Sequence, residues 1–175
     1  MSNIFQQPPY DYDYKVGLAS ILDSFVQNTS ITGAQTNLVY YTLNVPENVL
    51  VRDGQLIHLR ATGIIANATG NLSVRMQVNG VPVINGTKGA AAGTSEYLLE
   101  SFIYRRNANS FKSVNKIWFG IINNSSTPGA ITPVVNALNI TPTQSNALLP
   151  FTLTLDLTQV AGDSFNHQLT HAVVI

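Results

Sequence analysis

The sequence predicts an all-β fold, an antiparallel β-sandwich of the jelly-roll type with about eight strands. The stretch 72–78 alternates apolar and polar residues without interruption, which is the period of a strand with one buried face. Asn79-Gly80 follows directly, and this pair favours the positive φ angles of a two-residue hairpin turn. Turn signals recur about every 8–15 residues, which leaves little room for the helical crossovers of a parallel sheet.

Residues 1–16 are predicted to form an extended N-terminal arm. Two prolines favour an extended, polyproline-like backbone, and tyrosines spaced by two would then share one face. Tyrosine rings offer a large contact area at low entropy cost, which suits a segment that docks on a partner. A disordered terminus is the alternative. The residues predicted to dock are Phe5, Pro8, Pro9, Tyr10, Tyr12 and Tyr14.

Residues 17–35 are predicted to form a short helix and a loop that lead into the sandwich. Leu18, Ile21, Leu22 and Phe25 are spaced by three and four, which is the period of an amphipathic helix. The following stretch, NTSITGAQ at 28–35, is rich in small polar residues and is interpreted as the loop.

Residues 36–175 carry the predicted sandwich. In the strand predicted at 112–122, Ile117, Phe119 and Ile121 share one face and Trp118 lies on the other. An immunoglobulin-type sandwich is the structural alternative, although the cysteine landmarks of that fold are absent. Strands are predicted near 39–45, 55–65, 72–78, 81–84, 98–105, 112–122, 134–140, 151–157 and 165–174.

The composition indicates a protein that packs against other proteins. The chain is 45% hydrophobic and only 10% charged, against about 25% charged residues in a typical soluble domain. Asn, Thr, Ser, Gln and Gly replace the missing charge, and such side chains cost less than charges to bury in a permanent contact. An ordinary extracellular β-domain is the alternative.

Charge and hydropathy argue against several partners. The formal net charge is +0 and no basic stripe exists to neutralise phosphates, so we expect no binding of nucleic acid. No apolar run approaches the roughly 20 residues that a membrane helix needs, so we expect no membrane partner. The N-terminus lacks the basic and apolar regions of a secretory signal, which indicates synthesis in a cytoplasm. The absence of cysteine excludes disulfides and thiolate metal sites.

Titratable side chains form no recognisable catalytic or metal-binding pattern. His167 and His171 are four apart, which on a strand separates them by roughly 13 Å, too far to share one ion. Glu96 and Glu100 are equally far apart on one strand face, whereas a glycosidase needs two carboxylates within about 5–10 Å. Neither Gly-x-Ser-x-Gly nor a P-loop occurs. We therefore expect no enzyme, no cofactor and no metal site.

Three motifs carry a resemblance to a known family: Val45-Pro46-Glu47-Asn48-Val49-Leu50, Arg60-Ala61-Thr62-Gly63 and Val78-Asn79-Gly80. On these motifs, residues 36–175 resemble in outline a jelly-roll domain that recurs in virion proteins of tailed bacteriophages. The resemblance implies a homotrimeric capsid decoration (cement) protein on the outer surface of the head. Its partners would be its own copies and the major capsid protein, and the arm would clamp the shell.

The alternative within the same resemblance is a head-fibre or tail-fibre tip domain that binds a host receptor or glycan. Its contact surface would be the loops at 67–71, 88–95 and 123–129. These loops contain amides but no tryptophan, and Trp118 lies in a predicted strand, which counts against this alternative. A trimeric jelly roll of the cytokine type is a third possibility, which the missing secretion signal disfavours.

Overall fold

The computed structural model describes residues 20–67, 70–89, 93–107, 110–121, 132–140 and 150–175. These ranges form strands and no helix, and so contain no helix that could cross a membrane. The all-β prediction is confirmed. The strands are β1 (Ser20–Thr32), β2 (Gln35–Val45), β3 (Leu56–Asn67), β4 (Leu72–Val78), β5 (Val81–Lys88), β6 (Gly93–Asn107), β7 (Ser110–Ile121), β8 (Thr132–Ile140), β9 (Phe151–Gln159) and β10 (Ser164–Val174).

The strands form two antiparallel sheets that face each other. One has six strands in the order β1-β10-β3-β6-β7-β8, and the other has four in the order β2-β9-β4-β5. The quartets β1-β10-β3-β6 and β2-β9-β4-β5 are the two halves of an eight-stranded jelly roll. The remaining strands, β7 and β8, extend the larger sheet beyond β6. The predicted jelly roll is therefore present with one additional hairpin.

The core lies between the sheets and follows from strand alternation. Along β4, buried and half-buried residues alternate at every position, because successive side chains point to opposite faces. Residues from both sheets interdigitate in this layer, as expected for a sandwich. The largest fully buried side chains are Tyr97, Phe165, Leu50, Ile57, Leu59, Ile65, Leu72, Met76, Ile84, Leu99, Ile103 and Ile117.

The predicted hairpin at Asn79-Gly80 is confirmed. Both residues have positive φ angles, 49° and 76°, and they join β4 to β5. Asn79 also bonds to the neighbouring strand β9, because its side-chain Oδ1 accepts from the Thr152 N–H at 2.9 Å. Its own N–H donates to the Thr152 carbonyl at 2.9 Å. The turn therefore fixes β5 and the end of β9 together.

The predicted helix in 17–35 is wrong over the part of this segment that the structure describes, because β1 begins at Ser20. Strand β1 pairs with β10 along its whole length and is interrupted by register shifts between Ile21 and Asp23 and between Val26 and Thr29. A bulge adds one residue to a strand, which lengthens the local spacing of apolar residues from two to three. That spacing imitates a helix in the sequence. The sandwich consequently includes β1, which precedes residue 36.

Candidate functional site

The outer face of the six-stranded sheet carries a groove with a volume of about 450 Å³. Side chains and backbone from four adjacent strands line it. It is the candidate site because it combines an indole ring with several hydrogen-bonding groups on a rigid scaffold. The lining residues are Arg60, Thr62, Gly63, Glu96, Tyr97, Leu98, Trp118, Gly120 and Gln168.

Strand pairing fixes the position of the groove side chains. Thr62 of β3 lies opposite Leu98 of β6, which lies opposite Trp118 of β7. Glu96 is two residues from Leu98 and lies opposite Gly120. Residues two apart on a strand point to the same face, so both rows of side chains project outwards.

Two glycines shape the groove in different ways. A Cβ added at Gly120 would meet nothing within 4 Å, so the absent side chain leaves open space near Trp118. A Cβ added at Gly63 would lie 2.5 Å from Cε1 of Tyr97. Gly63 is therefore needed for the Tyr97 ring to pack beneath the groove, whereas Gly120 provides room above the sheet.

A β-bulge in β10 brings Gln168 into the groove. Pairing with β3 runs from His167–Gly63 to Leu169–Thr62, so Gln168 has no partner residue on β3. Gln168 is exposed, whereas His167 next to it is buried. The bulge adds an amide to the outer face without interrupting the sheet.

The same bulge separates His167 and His171, which were predicted to lie too far apart to share one metal ion. His167 is buried, whereas His171 is half-buried and lies opposite the exposed Arg60 on the outer face. The shift of one residue at the bulge sends the two side chains to opposite sides of the sheet. In the described part of the chain, no group of three or more His, Cys, Asp or Glu residues is arranged to hold a metal ion.

The polar groups of the groove are available to a ligand. Arg60, Glu96 and Gln168 are exposed, and neither Arg60 nor Glu96 forms an ion pair with another described residue. Glu100 lies opposite Arg60, but its carboxylate is 3.0 Å from Nε2 of His58. The groove therefore offers guanidinium donors, carboxylate acceptors and an amide that can do both.

Trp118 has a cation near its ring. The ammonium of Lys116 lies 5.9 Å from the centroid of the indole, within the range of a cation–π contact. The two residues are two apart on β7 and share the outer face. This contact restrains the ring and adds a positive charge near the groove.

A buried hydrogen-bond chain supports the groove from below. The Tyr97 hydroxyl lies 2.6 Å from Nδ1 of His167, and Nε2 of His167 lies 2.8 Å from the Thr170 hydroxyl. The rings of Tyr40 and Phe165 pack beside them, with the Tyr40 centroid 5.0 Å from that of His167. Burial lowers the pKa of His167 to about 4 and raises the pKa of Tyr97. The side chains of this hydrogen-bond chain are therefore uncharged at neutral pH.

Chemically, the groove is suited to a ligand that has an apolar face and hydroxyl groups around its rim. Trp118 and Leu98 supply apolar surface, and Glu96, Arg60 and Gln168 supply acceptors and donors. Glu96 is the one carboxylate among the lining residues in the described part of the chain. This arrangement favours binding by stacking and hydrogen bonding.

None of the residues that line the groove is among the contact residues predicted from the sequence. The arm residues Phe5, Pro8, Pro9, Tyr10, Tyr12 and Tyr14 lie outside the described residues, as does the loop at 123–129. The loops at 67–71 and 88–95 are described only in part. The groove forms on the sheet itself, and this position was missed.

The one available signal for the groove was Trp118. Its predicted position on the strand face opposite Ile117 and Phe119 is confirmed. Trp118 lines the groove from this strand position. The remaining lining residues are brought together by cross-strand register, which the sequence does not display.

Comparison with known proteins gives distant structural similarity. No protein-family model matches the chain, and no curated protein matches it. The fold is similar to the CBM2 module of the evolved Dit protein of Lactobacillus casei BL23 phage J-1, with 10% identity and a TM-score of 0.36, over 75% of this chain and 67% of that chain. It is also similar to a legume lectin-like domain from Entamoeba histolytica, with 12% identity and a TM-score of 0.27, over 90% of each chain.

Proposed function

We propose that this chain is a virion-associated jelly-roll domain that binds a glycan in the groove of its six-stranded sheet. The virion setting rests on the resemblance of residues 36–175 to phage jelly-roll proteins. The binding role rests on one observation, which is that Trp118 lines an open groove together with the exposed polar groups of Arg60, Glu96 and Gln168.

The chemistry of a sugar ring matches this surface. A pyranose ring has an apolar face of C–H groups, which packs against an aromatic ring, and a rim of hydroxyls. Carboxylates and guanidinium groups form the stronger, charge-assisted hydrogen bonds to such hydroxyls. Glu96 therefore supplies an acceptor on the strand next to Trp118, and Arg60 supplies a donor one strand further along the groove. The presence of both signs of charge disfavours a polyphosphate such as nucleic acid.

We propose binding without turnover. Hydrolysis of a glycosidic bond uses two carboxyl groups on opposite sides of the bond, within about 5–10 Å of each other. The groove offers Glu96, while Glu100 on the same strand is bonded to His58 and is not a lining residue. A glycan that binds should be recovered intact, as measured by reducing-end analysis.

A glycan array tests the proposal. We expect the purified chain to bind at least one class of neutral or acidic oligosaccharide, and Trp118→Ala to weaken that binding by about tenfold or more. Phe102→Ala is the matched control, since Phe102 lies on the same sheet face but does not line the groove. Absence of binding to every arrayed glycan, or unchanged binding by Trp118→Ala, would overturn the proposal.

A second candidate function is capsid decoration as a homotrimer on the outer capsid surface, and a separate face of the molecule favours it. The strands of the four-stranded sheet carry three charged residues, Arg75, Lys88 and Asp156, of which Lys88 and Asp156 are buried. The exposed apolar residues include Val39 and Val81. A surface so poor in exposed charge suits permanent contact with the major capsid protein.

Cosedimentation with empty phage heads tests this second function. A decoration protein should bind the shells, and deletion of residues 2–15 should leave a folded trimer that no longer cosediments. A chain that binds glycans but does not bind shells would support the glycan-binding function and contradict capsid decoration. Shell binding that persists in full after the deletion would contradict a role for the arm.

A further inference from the structure

We infer that the groove binds about two or three consecutive units of a glycan chain, laid across the strands, and not a single terminal sugar. The inference rests on the proposed glycan-binding function and specifies the ligand of that same site. The juxtaposition that carries it is Trp118 on β7 and Gln168 on β10, at opposite ends of one continuous groove.

Strand spacing gives the length of the groove. Its lining comes in order from β10, β3, β6 and β7, which are consecutive neighbours in the six-stranded sheet. Three spacings of ~4.8 Å separate the first of these strands from the last, or about 14 Å. One sugar unit lengthens a glycan chain by about one such spacing. A chain of about two or three units therefore spans the distance from the strand of Trp118 to the strand of Gln168.

Polar groups are spread along this length. Thr62 and Leu98 occupy the middle of the groove, with Glu96 to one side of this row and Arg60 to the other. Gln168 adds an amide at the end opposite Trp118. A site for one sugar would concentrate its hydrogen-bonding groups around the indole ring. Here they continue for three strands beyond it, which matches a chain of sugars.

The volume supports the same conclusion. About 450 Å³ lies within the range of roughly 300–1,000 Å³ typical of pockets that hold whole organic ligands. A single pyranose ring would leave most of this space filled with water. Consecutive units would bury the row formed by Thr62, Leu98 and Trp118 and would displace that water.

A series of mono-, di-, tri- and tetrasaccharides of each glycan that binds on the array tests the inference by calorimetry. We expect the affinity to rise by about tenfold or more from the monosaccharide to the trisaccharide and then to level off. Gln168→Ala should weaken trisaccharide binding several-fold more than it weakens monosaccharide binding. Trp118→Ala should weaken both.

The outcomes separate the two proposals. A monosaccharide that binds as tightly as the trisaccharide would overturn the inference and leave the proposed function intact. Equal loss of mono- and trisaccharide binding in Gln168→Ala would overturn it as well. Absence of binding to any glycan would overturn the proposed function and the inference with it. Thr62→Val removes one hydroxyl from the middle of the groove and provides a second variant should Gln168→Ala unfold. It should weaken trisaccharide binding more than monosaccharide binding. The reverse result would contradict the inference.

Discussion

The hydroxyl of Tyr97 lies 2.6 Å from Nδ1 of His167, directly beneath the groove. Nε2 of the same ring lies 2.8 Å from the hydroxyl of Thr170. A neutral imidazole has one donor and one acceptor and so satisfies both hydroxyls. Protonation would bring a charge into a layer that contains the rings of Tyr40 and Phe165. Burial therefore lowers the pKa of His167 from 6.5 to about 4.

We expect His167 to make the fold sensitive to acid. The unfolded chain takes up a proton near the ordinary pKa of 6.5, whereas the folded chain does so only near 4. Between these values the unfolded state binds more protons, so the free energy of unfolding falls as the pH falls. The contribution of neutral His167 to stability is fully present above the pKa of 6.5 in the unfolded state and is lost below the pKa of about 4 in the folded state. A shift of this size corresponds to about 3 kcal/mol over the whole titration, of which about 2–3 kcal/mol is lost between pH 6.5 and 4.

Urea denaturation across this pH range measures the effect, with His167→Gln as the control. A glutamine amide can accept from Tyr97 and donate to Thr170, but it does not titrate. The carboxylates and the other two histidines are common to both proteins, so their titration cancels in the difference. The variant should lose about 2–3 kcal/mol less than the native chain between about pH 6.5 and 4. Identical pH slopes would contradict the assignment.

The two groove glycines should respond in opposite ways to alanine. Gly63→Ala brings a methyl group against the Tyr97 ring and the Asn166 carbonyl, so we expect a loss of about 2 kcal/mol or more in the free energy of unfolding. Gly120→Ala meets nothing within 4 Å and should be close to neutral for stability. Its methyl enters the groove, however, so glycan affinity should fall.

Urea denaturation and calorimetry on the same two variants distinguish these effects. We expect Gly63→Ala to lower the free energy of unfolding. We expect Gly120→Ala to keep the native free energy of unfolding and to bind glycan less tightly. Equal stability of the two variants would show that Tyr97 moves aside at little cost. Unchanged affinity in Gly120→Ala would show that the glycan does not approach β7 at this point.

Asn115 joins the two sheets through a buried hydrogen-bond network. Its Nδ2 donates to the Val83 carbonyl at 3.2 Å and to the Ser113 hydroxyl at 2.8 Å, and its Oδ1 accepts from Ser101 at 2.6 Å. Val83 lies at a bulge of β5 and has no partner residue on β4. Asn115→Leu would leave these groups unpaired and should cost about 2–4 kcal/mol.

The measurement for Asn115 is the urea midpoint at neutral pH. Asn85→Ala serves as the comparison, because Asn85 is exposed on β5 and should change stability by less than about 0.5 kcal/mol. If Asn115→Leu were as stable as Asn85→Ala, apolar packing in the core would compensate the lost network. That outcome would show that the polar link between the sheets is dispensable.

Local chemistry accounts for what the sequence predicted well. The Asn79-Gly80 turn needs only two residues that tolerate positive φ, and both are visible in the sequence. Strand β1 was missed for an equally local reason, because its bulges near Asp23 and Thr29 disturb the alternation that identifies a strand. Whether a short apolar segment becomes helix or strand there is decided by pairing with β10.

The groove could not be predicted because it depends on register between distant segments. Trp118 was placed on the strand face opposite Ile117 and Phe119, but Thr62 and Gln168 are brought into the same groove by three successive strand pairings. A shift of one residue in any of these pairings would turn the affected side chains to the core face. The sequence therefore indicates each strand but not the set of residues that the sheet brings together.

On the four-stranded sheet, Asp156 points outwards and is nevertheless buried, with 1% of its surface exposed. Its carboxylate accepts from Nε of Arg75 at 3.0 and 3.1 Å and from Nε2 of Gln77 at 2.6 Å. The Arg75 side chain is 25% exposed. The two partners of this ion pair thus differ in their access to water.

This difference predicts unequal losses for two substitutions that preserve most of the side-chain shape. Asp156→Asn leaves a guanidinium that can turn towards water, so it should cost about 1 kcal/mol. Arg75→Gln leaves a buried carboxylate without a cation and should cost about 2–4 kcal/mol. Urea denaturation at neutral pH, repeated at high salt, measures both, and burial should make the difference insensitive to salt. Arg75→Gln should cost more than Asp156→Asn only if water does not reach the carboxylate of Asp156. Equal losses would therefore mean that this carboxylate is hydrated in solution.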